Sequence, residues 1–565
     1  MRWSIKPKPC SEKSKNLESI LGVNAAIANL LVQRGIETYD QAKAFFRPSL
    51  NQIHDPFLMK DMDLAVARIE KAIVRKERIM VYGDYDVDGT TSVALMSSYL
   101  KTIYPEITTY IPDRYKEGYG ISFIGIDYAN DNDITLIIAL DCGIKAIEKV
   151  DYAKEKGIDF IICDHHRPGN EIPSAVAVLD PKRNDCEYPY KELCGCGVGF
   201  KLIQALNNHW SQDFEQIVPY LDLVATAIGA DIVPVTGENR VLAYYGLKVI
   251  NKSPRAGFKA LIAQTKKQEL SITDVVFIIA PRINAAGRMK HGLHAVNLLT
   301  EENYDTAVKM AKEIEAYNTD RRAADKSITE EALIQIKENN EEHKFTTVVY
   351  DPNWHKGVIG IVASRLTETY YRPTLVFTKS GEKLAASARS VIGFDVYNAL
   401  EASSEYIEQF GGHMYAAGLT LTEANYPKFK QKFETVVKNQ IDPKLLTPEI
   451  EIDMELDFDQ IDEKFYRILK QFAPFGPGNK APVFTSSNIK DTGYAKTVGG
   501  DNTHLKCCFK SSKSPIKFAG IGFGLGEKIS LLTNQQPVSI AYNIDENEWN
   551  GNVSLQFRIK DLKAL

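Results

Sequence analysis

Four short apolar runs that each lead into an aspartate constrain the fold of this chain more than any other feature. They cover residues 79–82, 135–140, 160–163 and 175–179, and they lead into Asp84, Asp141, Asp164 and Asp180. Continuous apolar runs of this length are typical of buried strands. Segments with apolar residues at helical spacing, such as 91–103 and 144–156, lie between them. The alternation predicts βαβ units and a parallel sheet with helices on its faces.

The aspartates are expected to lie close together, because the carboxyl ends of parallel strands share one edge of the sheet. The first turn, residues 84–88, carries three carboxylates at alternate positions, and Asp231 follows another apolar helix at 220–228. Taken singly, each aspartate is better explained as a helix cap or a turn residue. Taken together, they repel one another unless a cation or shared protons neutralise them, so the set indicates a metal site.

The types of side chain indicate which metal this site would bind. Carboxylates with one or two imidazoles from His165 and His166, and no set of thiolates, suit Mn²⁺ or Mg²⁺ better than structural zinc. A pair of such ions can activate water and stabilise an in-line phosphoryl displacement. The residues by themselves therefore predict metal-assisted phosphodiester cleavage.

The same aspartates match the motifs of a known superfamily. The motifs that resemble those of the DHH phosphoesterase superfamily are Asp84-x-Asp86-x-x-Gly89, Asp141, Asp164-His165-His166 and Asp231. Four later stretches resemble the bacterial RecJ family of single-stranded-DNA-specific exonucleases: residues 281–288 (PRINAAGR), 387–390 (SARS), 411–413 (GGH) and 475–479 (FGPGN). The resemblance extends over essentially the full length, and eight motifs in the family's order are far more specific than one DHH triplet.

A chain of 565 residues is too long for a single core. The resemblance implies an α/β protein with a parallel-sheet DHH catalytic domain, a helical linker, a second α/β domain of the DHHA1 type and a C-terminal β-barrel with the OB fold. The predicted boundaries are 1–50 for a helical N-terminal region, 51–250, 251–343, 344–442 and 443–565. Near-helical apolar spacing over 301–340 supports the linker helices, and five strand-like runs after residue 480 support a small barrel.

The resemblance also implies roles for the acidic motifs. The implied metal ligands, for two ions of Mn²⁺ or Mg²⁺, are Asp84, Asp86, Asp141, His165 and Asp231. Asp141 would bridge the ions, while Asp164 and His166 would orient ligands or stabilise the transition state. Asp88 is the least certain acid of the first motif, because the superfamily pattern does not require it.

The substrate-binding residues come from the later motifs. Small residues and two arginines in 281–288 favour a phosphate site over a surface turn. The substrate-binding residues implied by the resemblance are Arg282, Asn284, Arg288, Ser387, Arg389 and His413. Of these, Arg282, Ser387 and Arg389 would hold a terminal 5′ phosphate, and His413, in a glycine loop, would touch the scissile region. The loop 113–120 is either a simple turn or a rim that stacks a base.

Composition excludes some classes of protein and permits others. A net charge of −5 and a pI near 6.1 argue against a surface coated in positive charge, but a local basic lining would suffice for one strand of DNA. The eight cysteines are expected to be reduced thiols, and Cys194-Gly195-Cys196 has the wrong spacing for a zinc knuckle. Without an apolar stretch of about 18 residues or an apolar leader, we expect a cytoplasmic protein that does not bind membranes.

The predicted function is therefore a 5′→3′ exonuclease that degrades single-stranded DNA to mononucleotides in DNA repair and recombination. Direction, DNA preference and two partners, a single-strand-binding protein and a recombination helicase, come from the resemblance. Two alternatives remain: a DHH phosphodiesterase acting on cyclic dinucleotides or short oligonucleotides, and a noncatalytic replication scaffold. The first needs no terminal OB barrel, and the complete acidic motifs count against the second.

Overall fold

The chain forms two structural units, which are described separately. The computed structural model describes residues 1–549 and 551–565. The first unit comprises Met1–Pro112, Tyr119–Ala280 and Glu449–Leu565, and the second comprises Asp113–Gly118 and Pro281–Pro448. The N-terminal region, most of the catalytic domain and the barrel domain therefore belong to one unit.

The N-terminal region packs on the barrel domain at the other end of the sequence. Its elements are β1 (Arg2–Ile5), α1 (Ser11–Leu21), α2 (Ala25–Gln33), α3 (Tyr39–Phe46) and α4 (Met62–Val74). The strand β1 was not expected from the sequence, and it pairs in parallel with Glu449–Ile452. Leu17, Ile27 and Leu31 share one hydrophobic cluster with side chains of the barrel. The helices of this region therefore complete the core of a distant domain.

A five-stranded parallel sheet carries the aspartate turns, and its strand order is β3-β2-β4-β5-β6. The elements are β2 (Arg78–Gly83), α5 (Val87–Lys101), β3 (Ile107–Tyr110), α6 (Phe123–Asp131), β4 (Ile134–Leu140), α7 (Ile147–Glu155), β5 (Asp159–Cys163), β6 (Ala177–Leu179), α8 (Gly195–His209), α9 (Leu221–Ala230), α10 (Gly237–Lys252), α11 (Ala256–Ala263) and α12 (Ile272–Asp274), followed by a π-helical turn at Val275–Ile279. Side chains of β4 are buried on both faces, as expected for a parallel sheet covered by helices.

The second unit contains long helices and a mixed sheet with the order β10-β11-β9-β8-β7. The elements are α13 (Ala280–Met289), α14 (Leu293–Thr300), α15 (Tyr304–Glu338), β7 (Thr347–Tyr350), α16 (Ile359–Tyr370), β8 (Thr374–Ser380), β9 (Lys383–Arg389), α17 (Val396–Glu401), β10 (Gln409–His413), β11 (Ala416–Leu421) and α18 (Tyr426–Gln440). Only β7 and β8 pair in parallel within this sheet. The helix α15 has 35 residues, and its Ile328, Ala332 and Ile336 pack into the cluster that contains α16.

The C-terminal domain is a closed barrel. The elements are β12 (Glu449–Ile452), β13 (Met454–Glu455), α19 (Glu463–Lys470), β14 (Phe484–Asp491), β15 (Lys496–Val498), β16 (His504–Ser511), β17 (Ser514–Gly522), α20 (Ser530–Thr533), β18 (Val538–Trp549) and β19 (Asn552–Ala564). The strands β14-β18-β19-β17-β16 form a ring, because β14 pairs with both β18 and β16. The predicted five-stranded barrel is confirmed.

Three local features differ from the sequence predictions. The helix predicted over 91–103 begins at Val87, because Asp86 caps it by accepting a 3.0 Å hydrogen bond from the Gly89 N–H. Residues 281–288 lie within helix α13 despite their glycine and proline. Residues 411–413, predicted as a glycine loop, form part of β10, since β10 pairs with β11 along its whole length.

Short 3₁₀ turns connect several elements. They lie at Leu50–Gln52, Pro56–Leu58, Phe214–Gln216, Val218–Tyr220, Ser404–Tyr406, Glu423–Asn425, Pro443–Leu446, Phe458–Gln460 and Gly526–Ile529. Within residues 1–549 and 551–565, no helix combines the length and the apolar character that crossing a membrane requires.

Candidate metal centre

The turn between β2 and α5 places Asp84 and Asp86 at the carboxyl end of a central strand. Asp84 is fully buried, and a Cβ on Gly89 would lie 2.3 Å from the Asp84 carbonyl oxygen. Glycine is therefore required where the helix passes the strand end. Asp86 is half-buried and caps α5. Both predicted ligands thus have positions set by the first turn of one helix.

His165, which follows strand β5, faces carboxylates from three other elements. Its Nε2 atom lies 3.2 Å from Asp141 Oδ1, 3.5 Å from Asp231 Oδ2 and 3.7 Å from Asp88 Oδ2. Ligand atoms of Asp88, His165 and Asp231 lie within 4.8 Å of one another, and so do those of Asp141, His165 and His166. The structure therefore places two predicted ligands, Asp141 and Asp231, around the imidazole of a third, His165, and adds Asp88 and His166 to the cluster.

The pKa values of these groups reflect burial and mutual repulsion. Burial, reinforced by the neighbouring carboxylates, raises the pKa of Asp141 well above its usual value, that of Asp231 to about 8 and that of Asp88 to about 7. Burial lowers the pKa of His165 to about 3, so its imidazole is neutral at pH 7. Ionising all three carboxylates together requires positive charge from a bound cation.

The available ligand atoms fit a divalent cation such as Mn²⁺ or Mg²⁺. Asp141 Oδ1 and His165 Nε2 are buried and have no hydrogen-bond partner among the described residues. A neutral imidazole nitrogen and carboxylate oxygens are suitable ligands for these ions. Burial raises the pKa of the Cys194 and Cys196 thiols well above the usual value. These cysteines are therefore protonated, which does not favour a thiolate zinc site.

The Asp164 carboxylate binds the backbone of the turn formed by residues 164–166. Its Oδ1 accepts hydrogen bonds from the His165 and His166 N–H groups, and its Oδ2 accepts one from the Ile144 N–H at 2.9 Å. The His166 ring nitrogen Nδ1 lies 2.7 Å from Asp164 Oδ1. Asp164 thus fixes the backbone that presents the neighbouring His165.

Asp164 and His166 form an ion pair at neutral pH. Burial raises the pKa of Asp164, but the hydrogen bond to His166, the hydrogen bond from the Ile144 N–H and the charges of the two histidines together lower it to about 2. Burial lowers the pKa of His166, but the hydrogen bond to Asp164 and the charges of Asp164, Asp231 and Asp88 together raise it to about 9. The Tyr119 hydroxyl lies 3.1 Å from His166 Nε2. Tyr119, from the loop predicted as either a turn or a rim, therefore helps to orient a protonated imidazole beside the cluster.

The N-terminus of α8 contacts Asp88 and Asp141. The sequence analysis did not predict this contact. The Gly195 and Cys196 N–H groups each donate a 2.7 Å hydrogen bond to one oxygen of Asp88. Asp141 has a left-handed φ of 59°, and a Cβ on Gly195 would lie 2.5 Å from Asp141 Cβ. The sequence analysis considered this stretch only for its thiols. A glycine at a helix start is the signal that could have indicated this close approach.

In the second unit, Ser387 and Arg389 lie at the end of β9 against the first turn of α16. A Cβ on Gly360 would lie 3.0 Å from Ser387 Oγ and 3.2 Å from Arg389 Nη2. Arg389 Nη1 donates hydrogen bonds to Ser387 Oγ at 3.1 Å and to the Ala388 carbonyl at 2.7 Å. Burial lowers the pKa of the Arg389 guanidinium. A guanidinium, a hydroxyl and a helix N-terminus together are suited to an anion.

The other predicted substrate residues have intramolecular partners or lie on neighbouring elements. Arg288 Nη1 donates a 2.8 Å hydrogen bond to the Gly357 carbonyl, just before α16. Arg282 forms an ion pair with Glu315 of α15 at 2.6 Å. The remaining two are Asn284, half-buried on α13, and His413, exposed on β10. His413 is in register with Ala416, which is in register with Arg389. Their roles toward substrate stay predictions.

Three family models match the chain in sequence order. The DHH family, N-terminal domain, matches residues 78–228, the DHHA1 domain matches 343–439 and the RecJ OB domain matches 452–561. The single-stranded-DNA-specific exonuclease RecJ of Bacillus subtilis (strain 168) is 35% identical over an alignment of 567 positions, which covers 99% of this chain and 70% of that protein. The chain belongs to the RecJ exonuclease family.

Further RecJ proteins agree with this assignment. The single-stranded-DNA-specific exonuclease RecJ of Escherichia coli (strain K12) is 33% identical over 525 residues, which cover 89% of this chain and 90% of that protein. The crystal structure of RecJ from Thermus thermophilus in complex with Mn²⁺ has a TM-score of 0.86 and 27% identity, covering 100% of this chain and 80% of that one. The predicted family and fold class are confirmed, and neither alternative function is favoured.

Proposed function

We propose that this chain is a metal-dependent exonuclease that degrades single-stranded DNA from the 5′ end to mononucleotides, in DNA repair and recombination. The observation that carries the proposal is the cluster of Asp88, Asp141 and Asp231 around the neutral imidazole of His165. Family membership supports single-stranded DNA as the substrate. The Mn²⁺ and Mg²⁺ complexes of the Thermus thermophilus RecJ support these ions as cofactors.

The acidic cluster is the proposed site of phosphodiester hydrolysis. The proposed ligands of two ions are Asp84, Asp86, Asp141, His165 and Asp231. When bound, the ions supply an activated water and stabilise charge on the scissile phosphate. Asp88, held by the α8 N-terminus, keeps its carboxylate directed at His165. The raised pKa values of the acids mean that metal binding releases protons, so the affinity for Mn²⁺ rises with pH.

His166 is the proposed source of positive charge beside the scissile group, and Asp164 is the residue that positions it. The ion pair with Asp164 keeps His166 protonated at neutral pH. A protonated imidazole can stabilise the negative charge that develops on phosphate, or donate a proton to the leaving oxygen. The contact with Tyr119 fixes the direction of the imidazole Nε2.

Ser387 and Arg389 are the proposed site for the terminal 5′ phosphate. The side chains lie together against the N-terminus of a helix of 12 residues. A guanidinium donates in a planar fork that matches phosphate oxygens, and helix N–H groups favour the same charge. Binding of the terminal phosphate would set the 5′→3′ direction of degradation. Arg288 supports this site by holding the Gly357 carbonyl.

The test uses the full-length protein with Mn²⁺ and four substrates: long single-stranded DNA, duplex DNA, RNA and a dinucleotide. Each polymer is labelled separately at its 5′ or 3′ end. We expect mononucleotides released from the 5′ end of single-stranded DNA. Fast dinucleotide hydrolysis without activity on long strands would instead indicate the small-substrate phosphodiesterase, and no hydrolysis with Mn²⁺ or Mg²⁺ would indicate the scaffold.

Substitution of Asp141 connects this activity to the cluster. Loss of groups that merely orient ligands costs about 10- to 100-fold in metal affinity or activity, so Asp141→Ala should lower the rate by more than about 100-fold. Binding of single-stranded DNA should be retained. Asp151→Ala, an exposed acid on α7, serves as the matched control and should leave the rate unchanged. A variant Asp141→Ala that keeps more than a few per cent of activity would refute its role.

The proposal includes two partners and a location. A single-strand-binding protein and a recombination helicase would deliver the strand, as the family resemblance implies, and the protein would act in the cytoplasm, where the bacterial chromosome is repaired. Exonuclease assays on DNA covered by the single-strand-binding protein, with and without the helicase, test the partners. Faster degradation in their presence is expected, and equal rates would contradict a delivering role.

A further inference from the structure

The barrel domain contacts the loop that carries Asp231. We call residues 475–479 the barrel segment and residues 231–236 the Asp231 loop. The Val235 N–H donates a 2.7 Å hydrogen bond to the Pro477 carbonyl. A Cβ on Gly476 would lie 2.4 Å from Val235 Cγ2, and a Cβ on Gly478 would lie 2.8 Å from Thr236 Cγ2. Glycines are therefore required for this close approach, which gives the 475–479 motif a physical explanation.

The catalytic domain holds the other side of the same loop. The Pro234 carbonyl accepts hydrogen bonds from the Tyr190 hydroxyl at 3.1 Å and from Asn239 Nδ2 at 3.0 Å. The Tyr190 hydroxyl also lies 3.2 Å from Thr236 Oγ1. The Asp231 loop is thus held by two domains. Side chains of the catalytic domain bind the Pro234 carbonyl, and the barrel segment binds the Val235 N–H.

The Asp231 loop has a conformation that its own sequence disfavours. Ile232 has a φ of 60°, in the left-handed region that is unfavourable for β-branched residues. Ile232 is 68% exposed, so the free energy of burying an apolar side chain does not offset the cost of this backbone conformation. Such a conformation persists only where surrounding contacts impose it, and it is typical of functional sites. The Asp231 N–H donates a 2.9 Å hydrogen bond to the Ala227 carbonyl at the end of α9, and the contacts at residues 234–236 hold the strained turn that follows Asp231.

The barrel segment is rigid enough to impose this conformation. Asn479 Nδ2 donates hydrogen bonds to the carbonyl groups of Phe472 at 2.8 Å and Pro474 at 2.9 Å. Arg34 Nε donates a 3.0 Å hydrogen bond to Asn479 Oδ1. Asn479 is almost fully buried, so these bonds are shielded from water. The segment is thereby fixed to both its own domain and the N-terminal region.

We propose that the barrel segment is a positioning element for the metal centre. It holds the Asp231 loop so that Asp231 Oδ2 lies against His165 Nε2, at 3.5 Å. The inference rests on the proposed function, in which Asp231 is a metal ligand. Contacts that orient metal ligands influence metal affinity. The barrel domain therefore supports the affinity for Mn²⁺, in addition to any binding of DNA on its own surface.

The test introduces one methyl group between the two segments in the full-length protein. Gly476→Ala should push Val235 away and weaken Mn²⁺ binding by about 10- to 100-fold. Val235→Ala removes the opposing Cγ2, so the double variant Gly476→Ala/Val235→Ala should bind Mn²⁺ more tightly than Gly476→Ala alone. Gly500→Ala, in the same domain with no atom within 4 Å of the added Cβ, is the matched control and should bind normally.

Mn²⁺ affinity is measured by electron paramagnetic resonance of the free ion, with thermal unfolding recorded for every variant. Excess Mn²⁺ should restore the exonuclease rate of Gly476→Ala, which a defect of folding would not allow. A lowered melting temperature with unchanged Mn²⁺ affinity would overturn the inference. Should Gly476→Ala fail to fold, Asn479→Ala loosens the segment without adding atoms, and it should also weaken Mn²⁺ binding; unchanged affinity would again overturn the inference.

A further variant separates this inference from the proposed function. If Asp231→Asn binds Mn²⁺ as tightly as the unchanged protein, Asp231 is not a ligand, and both its proposed role and the inference are wrong. If Asp231→Asn loses affinity while Gly476→Ala and Asn479→Ala do not, only the inference is wrong. Loss of affinity in all three, with recovery in the Gly476→Ala/Val235→Ala double variant, supports both.

Discussion

Asp180 is a fully buried carboxyl group at the end of strand β6. Its Oδ1 accepts a 2.7 Å hydrogen bond from the Lys182 N–H, and its Oδ2 has no hydrogen-bond partner among the described residues. Burial raises its pKa to about 7. An unfolded aspartate titrates near about 4, so between these two values the folded chain binds more protons. Stability contributed by this group therefore falls as pH rises through that window.

We predict that Asp180→Asn stabilises the protein at high pH. Asparagine keeps an oxygen for the Lys182 N–H and removes the cost of ionising a buried group. At pH 8 in a chelator, the free energy of unfolding should rise by up to about 4 kcal/mol, whereas near pH 4 the gain should disappear. Thermal unfolding at both pH values measures this difference. An equal shift at the two pH values would show that ionisation is not the cause.

At the scale of elements, the first turn of α8 determines where Asp141 lies. Gly195 is in contact with Asp141, whereas Gly197, one half-turn later, would place a Cβ no closer than 3.5 Å to any neighbour. In this helix an added Cβ would therefore clash at Gly195 but not at Gly197. The difference arises because only the first lies over the strand end.

We predict that Gly195→Ala inactivates the enzyme while Gly197→Ala does not. The added methyl group would displace Asp141, and a displacement of about 1 Å in a catalytic group costs on the order of 100-fold in rate. Exonuclease rates with saturating Mn²⁺, together with circular dichroism spectra, compare the two variants. Similar rates for both would mean that α8 does not position Asp141.

The start of α16 is the second place where an added Cβ would come close to predicted site residues. Gly360 leaves room beside Ser387 and Arg389, where we propose that a terminal phosphate binds. A Cβ there would narrow the space without removing either side chain. This position therefore tests phosphate recognition without removing a charge.

We predict that Gly360→Ala reduces the preference for a 5′ phosphate over a 5′ hydroxyl by about tenfold, which corresponds to about 1.4 kcal/mol. Arg389→Ala should reduce the same preference more strongly, because it removes the planar donor group. Rates on matched phosphorylated and hydroxyl-ended strands measure the effect. Equal losses on both ends for either variant would contradict a phosphate-specific role.

Across the first unit, Arg240 of α10 joins the catalytic domain to both ends of the chain. Its guanidinium donates hydrogen bonds to the carbonyl groups of Phe45 at 3.1 Å, Phe472 at 2.8 Å and Ala473 at 3.0 Å. It also lies 3.8 Å from the centre of the Phe45 ring. Burial lowers its pKa to about 10, so it remains charged at neutral pH. The Arg240 side chain thus contacts both helix α3 and residues 472–473, which directly precede the barrel segment.

We predict that Arg240→Ala destabilises the first unit by about 3 kcal/mol or more, since it leaves several buried carbonyl groups without donors. Hydrogen exchange should become faster at residues 472–479 than in the central sheet. Arg47→Ala, which removes an exposed arginine bonded to the Gln471 side chain, should change stability by less than about 1 kcal/mol. Equal protection of residues 472–479 in both variants would contradict the joining role.

Much of this architecture follows from local patterns in the sequence. The apolar runs at 79–82, 135–140 and 160–163 form strands of the parallel sheet, because continuous apolar stretches of that length can be buried on both faces. Motif order was enough to predict the family. At the site, the meeting of Asp141 and His165 was expected, since both follow strands that end at one edge of the sheet, whereas Asp231 follows a helix and its role was implied by the family resemblance. Their roles toward metal stay predictions.

Tertiary structure alone decided which distant segments meet. Three contacts join residues that are far apart in the chain. They are the pairing of β1 with β12, the hydrogen bonds from α8 to Asp88, and the contact of the barrel segment with the Asp231 loop. Residues 411–413 form a strand because β11 offers a full set of partners, which outweighs the local preference of two glycines for a loop. Periodicity in a sequence reports burial of each element, whereas these contacts depend on the complementary shape of surfaces that exist only after the elements have packed.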